Sequence, residues 1–191
     1  MIPLQLSLKN FLSYSTASLD FTGLHTACIC GANGAGKSSL LEGITWAIWG
    51  ECRAASEDDA ISTGAMDVRV DFTFQMHGET CRVIRTRQRD GSGGLEFQIQ
   101  TTAGQFRTLT QRGIRSTQAL IDEYLKIDYD TFINSAYLRQ GKADEFMLKK
   151  PADRKQILAD LLKLDRYEQL ADRAKDTAKQ YKLQAEALTE S

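Results

Sequence analysis

The chain has 191 residues, of which 42% are hydrophobic and 26% are charged, and its formal net charge is −1. This length is enough for one sizeable hydrophobic core with an appendage. The nearly zero net charge excludes a long-range electrostatic attraction of the whole chain to nucleic acid, so binding of nucleic acid would need a local patch of basic residues. No run of about 18 apolar residues is present, which argues against a membrane span, and we expect no secretory signal peptide at the start.

The beginning of the chain alternates between apolar and polar residues, as a half-buried strand does. Leu4, Leu6 and Leu8 point to one face, and the polar residues between them point to the other. The turn-like sequence SYST, residues 13–16, separates this strand from a second one that contains ASLDF, residues 17–21.

Residues 31–38 carry the pattern Gly-x-x-x-x-Gly-Lys-Ser of phosphate-binding loops. Glycines allow the backbone to turn successive N–H groups into one concavity, and the positive end of the following helix lies beside it. Lys37 then reaches the terminal phosphates, and the Ser38 hydroxyl ligates Mg²⁺. The alternative is a glycine-rich turn that binds nothing, but both flanking segments favour a nucleoside-triphosphate site.

These flanking segments are a predicted strand and a predicted helix. LHTACIC, residues 24–30, is apolar and β-prone, which predicts the buried strand that precedes such a loop. Since Cys28 and Cys30 fall in this strand and no second pair follows at zinc-ligand spacing, we expect buried, reduced thiols and a cytosolic protein. After the loop, apolar residues at helical spacing predict a helix that ends near Gly50; they are Leu40, Leu41, Ile44, Ala47 and Ile48.

The middle of the chain predicts an antiparallel meander beside the phosphate-loop unit. Residues 51–66 are polar and predict a loop. DVRVDFTFQM, TCRVIRTRQR and LEFQIQT then read as three strands, separated by the turn sequences HGE and DGSGG.

Helices are predicted from about residue 113 onward. The first is STQALIDEYL with a Ser or Thr cap at its start, the second is YDTFINSAYL, and the third begins at Pro151, a favoured first-turn residue.

The last segment has the apolar repeat of a coiled coil. From Leu164 the apolar residues follow a strict 3-4 spacing through Tyr167, Ala171, Ala174, Ala178, Tyr181, Ala185 and Leu188. An amphipathic helix that packs on its own domain is the alternative, but the strict repeat favours the coiled coil. Because such a helix needs a partner, we infer that the chain is one part of a larger molecule.

Two further motifs that phosphate-loop ATPases of the ABC class need, an acidic strand and a signature helix, are missing from the predicted elements. Asp122 and Glu123 follow an apolar pair, as in the acidic strand that serves Mg²⁺, but their context is helical. The sequence GSGG, residues 91–94, resembles the start of an ABC signature, but it connects two strands and predicts a hairpin turn.

Three stretches together resemble the N-terminal segment of SbcC-type ATPases, which are SMC-like DNA-repair proteins with ABC-type ATPase heads. These stretches are LKNFLSYSTASLDF, GANGAGKSSLLEGITWAIWG and AYLRQGKADEF (136–146), followed directly by the coiled coil. The resemblance implies an α/β fold: the P-loop half of an ABC-ATPase head, with a mixed sheet, an antiparallel meander and a helical lobe, plus a coiled-coil helix. Residues 1–150 are expected to form the half-head and residues 151–191 the start of the coil.

The resemblance also implies cofactors and partners. A C-terminal segment of the same protein completes the head and supplies the two missing motifs, and two heads then sandwich two molecules of ATP with Mg²⁺. An SbcD-type nuclease and double-stranded DNA are the further partners, without a membrane, in the cytoplasm at the nucleoid. A chromosome-structural SMC head without a nuclease and the nucleotide-binding domain of an ABC transporter are the alternatives.

The resemblance further assigns roles to individual residues. Gln140, in the Q-loop at 138–142, is expected to touch Mg²⁺ and the attacking water, so that Lys37 and Gln140 are the candidate catalytic residues and Ser38 and Gln140 the candidate metal ligands. Leu12 occupies a position where relatives often have a basic residue, so the contact that such a residue would make with a phosphate or the base is not expected from this position. The remaining predicted nucleotide contacts are Ser13, Asn33, Gly34, Ala35, Gly36, Ser39, Ser62 and Thr63.

A basic patch for DNA is predicted at the junction of head and coil. Arg107, Arg112 and Arg115 come from a strand, a loop and the start of a helix, and Lys175, Lys179 and Lys182 share one helix face. A solvated surface without function is the alternative. A second, less favoured group alternates along one strand and consists of Arg85, Arg87 and Arg89.

Overall fold

A computed structural model describes residues 1–135, 150–161, 170–179 and 181–182. The chain divides into two compact units, Met1–Tyr129 and Asp130–Ser191.

The first unit contains one antiparallel sheet. Within the described residues it has six strands in the order β2-β1-β3-β4-β5-β6, and every neighbouring pair is antiparallel. The strands are β1 (Ile2–Phe11), β2 (Tyr14–Asp20), β3 (Asp67–Met76), β4 (Glu79–Gln88), β5 (Gly93–Gln100) and β6 (Phe106–Thr108). The predicted meander and the predicted mixed α/β architecture are confirmed.

The alternating sequence pattern determines which face of the sheet is buried. In β3, Val68, Val70, Phe72 and Phe74 are almost completely buried, whereas the residues between them are partly exposed. Because side chains alternate across a strand, every second residue enters the core. The GSGG segment lies at the β4–β5 connection, as predicted, and its last two glycines already belong to β5.

Helix α1 (Lys37–Trp49) packs on the buried face of the sheet. Gly43 permits a close approach, since a β-carbon at this position would lie 2.7 Å from Cδ2 of Leu8 on β1. Gly50 ends the helix in the left-handed conformation, with φ of 79°, as the sequence predicted. A short 3-10 helix (Glu57–Ala60) interrupts the loop that follows.

Helix α2 (Ile114–Leu125) begins earlier than predicted, and the predicted Ser or Thr cap is wrong. Its cap residue is Gly113, which has no side chain to offer. The Thr117 hydroxyl lies inside the first turn, 3.1 Å from the carbonyl oxygen of Gly113, and is fully buried. Asp122 therefore lies in a helix, as expected, and not in an acidic strand.

The predicted buried strand at residues 24–30 is wrong. None of these residues belongs to a strand, and all of them are exposed. Consequently Cys28 and Cys30 are exposed thiols, which corrects the expectation that they are buried, whereas Cys81 is buried. The physical reason is that a strand forms and is buried only when neighbouring strands accept its hydrogen bonds, and no described strand pairs with this segment.

The second unit is helical where it is described. Helix α3 (Tyr129–Ser135) begins at the boundary between the two units, and helix α4 (Pro151–Leu161) begins at the predicted proline. Residues 170–179, 181 and 182 are also helical and exposed. The pairing of this helix in a coiled coil stays a prediction, as does the division of head from coil at residue 150.

Candidate functional site

The phosphate-loop motif forms an exposed loop that runs directly into α1. Gly34 and Gly36 adopt left-handed backbone conformations with φ of 86° and 88°, which glycine adopts without steric cost. Of the loop amides, Ala35 N–H donates to the carbonyl of Ala32. Within the described residues, the amides at 33, 34 and 36–38 donate to no protein acceptor. These amides are therefore available to an anion.

Lys37 lies across this loop. Its Nζ donates to the carbonyl oxygens of Gly31 and Ala32, at 2.7 and 2.9 Å. An ammonium group has three protons, so one remains for a further acceptor beside the free amides. The cation is thus held at the loop by the loop's own backbone.

The first turn of α1 has the features of an anion site. No side chain caps it and no acidic residue lies in it, so its positive end faces the loop without compensation. Ser38 is partly exposed in this turn. The open amides, the Lys37 ammonium and the Ser38 hydroxyl together fit the phosphates of a nucleoside triphosphate and its Mg²⁺.

The turn between β1 and β2 packs against the end of the loop. A β-carbon at Gly36 would lie 2.6 Å from Ser13 Oγ and 2.9 Å from Tyr14 Cε2. The Tyr14 hydroxyl donates to the Ala35 carbonyl at 3.4 Å. The structure thus brings the predicted Ser13 to the loop. It adds Tyr14, which sequence reasoning missed, and which is the first residue of β2; the turn predicted at residues 13–16 is therefore shorter, because residues 14–16 belong to the strand.

Ser39 is placed differently from the other predicted phosphate-loop residues because its side chain is fully buried. Its Oγ accepts a hydrogen bond from Arg53 Nη2 at 2.8 Å and lies 3.4 Å from Ser13 Oγ. Its backbone N–H donates to the carbonyl of Gly36. Arg53 was not predicted, since nothing in the polar loop at 51–66 distinguished it.

Ser62 holds the β1–β2 turn, whereas Thr63 beside it is exposed. The Ser62 hydroxyl lies 2.8 and 3.1 Å from the carbonyl oxygens of Leu12 and Tyr14. Ser62 is therefore close to the predicted site, with its hydroxyl engaged by the turn that carries Ser13. Their predicted contacts with the base or ribose stay predictions, and Gln140 lies outside the described residues.

Arg85 binds the opposite end of α1. Its guanidinium donates to the carbonyl oxygens of Ala47 and Ile48, both at 3.1 Å, and to Gln118 Oε1 on α2 at 2.6 Å. Burial lowers the pKa of Arg85 to about 10, and nearby carboxylates, Asp122 first, oppose this shift. The residue is therefore still a cation at neutral pH, matched to the negative end of the helix.

The less favoured group of basic residues for DNA stays a prediction, and each of its three side chains makes a hydrogen bond or an ion pair within the fold. Arg85 binds α1, Arg87 pairs with Glu57 and Asp58, and Arg89 donates to the Ala65 carbonyl. The favoured residues on the first unit, Arg107, Arg112 and Arg115, are exposed. On the second unit, Lys175, Lys179 and Lys182 are exposed as well, and Lys175 pairs with Asp172 at 3.1 Å.

Neither a membrane helix nor a metal cluster occurs in the described part of the chain. Within it, no helix is both long and apolar enough to cross a bilayer, and no three His, Cys, Asp or Glu side chains lie together as metal ligands.

Comparison with solved structures finds partial likenesses. The SMC head domain from Thermotoga maritima matches with a TM-score of 0.43 and 17% identity, covering 85% of this chain and 72% of that one. The recombination mediator protein RecF with a bound ATP analogue matches with a TM-score of 0.48 and 13% identity, covering 91% and 42%.

Curated relatives are more similar in sequence. The SbcC component of the SbcCD nuclease of Deinococcus radiodurans is 32% identical over 194 residues, which cover 99% of this chain and 21% of the relative. The DNA double-strand break repair Rad50 ATPase of Thermoplasma volcanium is 35% identical over 171 residues, which cover 88% of this chain and 18% of the relative. The chain thus spans about a fifth of the length of these relatives.

A family model described as "AAA domain" matches residues 5–191. This match covers almost the whole chain, and the similarity to SbcC and Rad50 confirms the resemblance that the sequence motifs indicated. The protein therefore belongs to the AAA-domain family, as a segment similar to SbcC and Rad50.

Proposed function

We propose that the chain is the ATP-binding N-terminal part of an SbcC-like DNA-repair ATPase head. The observation that carries this proposal is the phosphate loop, in which open amides, the Lys37 ammonium and the uncapped start of α1 converge. The names of the relatives, a nuclease component and DNA-repair ATPases, support the DNA-repair role.

In this function each residue of the site has a defined task. The amides of the loop and Lys37 bind the β- and γ-phosphates, and Ser38 offers its hydroxyl to Mg²⁺, which when bound neutralises charge on the phosphates. Ser13 and Tyr14 pack against Gly36, and the Tyr14 hydroxyl donates to the Ala35 carbonyl, so that both residues stabilise the loop conformation. Gln140 is proposed to orient the attacking water and to relay the nucleotide state.

The head is proposed to need a second segment. Its acidic strand and its signature helix come from the C-terminal part of the same protein, since Asp122 lies in α2 and the GSGG sequence lies at a hairpin. The exposed, strand-prone residues 24–30, which form no strand in this chain, are proposed to pair with a strand of that segment. Two completed heads then dimerise on ATP and gate an SbcD-type nuclease in the cytoplasm, at the nucleoid.

We expect the isolated chain to bind MgATP weakly and to hydrolyse none, and hydrolysis to appear when the C-terminal segment is added. The reason is that hydrolysis is proposed to require the acidic strand and the signature helix, which the C-terminal segment supplies. Phosphate release is measured for the chain, for the C-terminal segment and for the mixture. Turnover by the chain alone at the rate of the mixture would contradict the proposed division of the site.

Double-stranded DNA is proposed to bind two sets of exposed cations. The first set is Arg112 and Arg115 on the first unit, and the second is Lys175, Lys179 and Lys182 on the helix of the second unit. Contacts from such side chains go to phosphates and carry no sequence information. The sets are therefore expected to contribute to affinity for any duplex.

Replacing either set by glutamine is expected to weaken binding of every duplex and to flatten its salt dependence. Each lost phosphate contact reduces the log–log slope by about 0.9. Duplex affinity of the reconstituted head is titrated with salt, with Arg173→Gln, on a different side of the same helix, as the control. An unchanged slope in a set variant identifies that set as solvated surface.

A further inference from the structure

An unassigned arginine lies beside the first turn of α1. Arg53 belongs to the loop after α1, yet its guanidinium contacts residues near the start of that helix. Neither the phosphate-loop motif nor the predicted nucleotide contacts include it. Its position therefore calls for a physical explanation.

The path of the chain after α1 explains how residue 53 returns to the start of the helix. Gly50 reverses the chain in a left-handed conformation. The buried Thr45 hydroxyl then lies 2.8 Å from the Glu51 carbonyl oxygen, which ties the returning chain to the side of the helix. Cys52 and Ala54, on either side of Arg53, pack against the hydrophobic core. The backbone at Arg53 is thus held on both sides.

The guanidinium connects two successive turns of α1. Nη2 donates to Ser39 Oγ at 2.8 Å, and Nε lies 3.4 Å from Glu42 Oε2. Ser39 is fully buried and the Glu42 side chain is only 12% exposed, whereas the Arg53 side chain is 55% exposed. A hydrogen bond from a cation to a buried hydroxyl is stronger than a neutral one, so Ser39 is held in one orientation.

Ser39 also links this arginine to the β1–β2 turn. Its Oγ lies 3.4 Å from Ser13 Oγ, and Ser13 packs against Gly36 at the end of the phosphate loop. Three separate parts of the chain therefore meet at one buried hydroxyl. That hydroxyl belongs to Ser39, the residue directly after Ser38. In the proposed function, the Ser38 hydroxyl faces the bound phosphates and Mg²⁺.

We propose that Arg53 is a positioning residue for the phosphate loop: by fixing Ser39, it orients the first turn of α1 and with it Lys37 and Ser38. The inference rests on the proposed nucleotide binding. It assigns Arg53 an indirect action through Ser39, not a contact with the nucleotide.

A double-mutant cycle on the full chain tests this indirect action. Arg53→Ala and Ser39→Ala are each expected to weaken MgATP binding about fivefold to tenfold, the effect of one charge-assisted hydrogen bond. The double variant is expected to bind no more weakly than either single variant, because both changes remove the same link. Additive losses would overturn the proposal, since Arg53 would then act on the nucleotide independently of Ser39.

The Mg²⁺ dependence separates positioning from a general loss of stability. ATP affinity is measured with Mg²⁺ and with a chelator, well below the unfolding temperature of each variant. Arg53→Ala is expected to reduce the gain from Mg²⁺, because Ser38 lies in the turn that Arg53 fixes, and Arg53→Lys to restore part of it. An unchanged gain in Arg53→Ala would overturn the proposal.

The control is Arg69→Ala, which removes an arginine of the sheet whose side chain pairs with Asp71. It is expected to leave both affinity and Mg²⁺ dependence unchanged. If the unmodified chain fails to bind ATP, the proposed function fails; if it binds and Arg53→Ala binds equally well, the inference about Arg53 alone fails.

Discussion

Replacement of Lys37 by alanine is expected to abolish detectable ATP binding by this chain. The change removes the cation at the phosphate loop and its two hydrogen bonds to the carbonyls of Gly31 and Ala32. The contact between the remaining ammonium proton and a phosphate contributes about 1.5–3 kcal/mol, which corresponds to roughly tenfold to 150-fold in affinity. Since the isolated chain is expected to bind weakly, this loss moves binding below detection in calorimetry or in a titration with a fluorescent ATP analogue.

The matched control for this prediction is Lys9→Ala. Lys9 is an exposed lysine on β1 that pairs with Asp67 at 3.1 Å, far in sequence from the loop. Its removal is expected to change ATP affinity by less than about twofold, because exposed ion pairs contribute little. Thermal unfolding of Lys37→Ala should stay near that of the unmodified chain. Retained ATP affinity in Lys37→Ala would mean that the motif is only a glycine-rich turn.

Replacement of Arg85 by methionine is expected to lower the free energy of unfolding more than any other substitution proposed for this chain. Arg85 satisfies carbonyl oxygens of Ala47 and Ile48 at the end of α1 and binds Gln118 on α2. Methionine fills similar space but leaves buried acceptors with fewer donors, which costs about 2–4 kcal/mol. For a domain of this size, this corresponds to a lower unfolding temperature by about 2–4 °C per kcal/mol.

Arg69→Met is the matched control for Arg85→Met. Arg69 lies in the same sheet, is 43% exposed and pairs with Asp71 at 3.5 Å, and Asp71 keeps its contact with Arg82 when Arg69 is lost. We expect a change within about 0.5 kcal/mol. Equal denaturation midpoints for the Arg85 and Arg69 variants would show that the arginine at the helix end contributes no more than a surface residue.

Much of the candidate site followed from local sequence. Gly36 and Lys37 could be assigned because the loop motif specifies a backbone conformation and a cation within eight consecutive residues. Arg53 and Tyr14 could not be assigned in this way. Their roles come from contacts across the fold, and no spacing rule connects residue 53 with residue 39 or residue 14 with residue 35.

The basic residues of β4 show the same limit of prediction from local sequence. Arg85, Arg87 and Arg89 alternate along β4 and, in the sequence, resemble an exposed charged face. In the folded chain, α1, the 3-10 helix and the adjoining loop each accept a hydrogen bond or an ion pair from one of them, although Arg89 stays exposed. Alternation identifies which residues share a face, but not what covers that face.

The sequence by itself determined the strands of the meander, the phosphate loop, the extent of α1 and the α/β class, because each depends on periodicity or on a short motif with its own backbone requirement. The tertiary structure decided the convergence of Ser13, Ser39 and Arg53, the binding of Arg85 to the end of α1, and the exposure of residues 24–30. These features depend on which distant segments lie beside each residue. An apolar, β-prone segment becomes a buried strand only where neighbouring strands are present to pair with it.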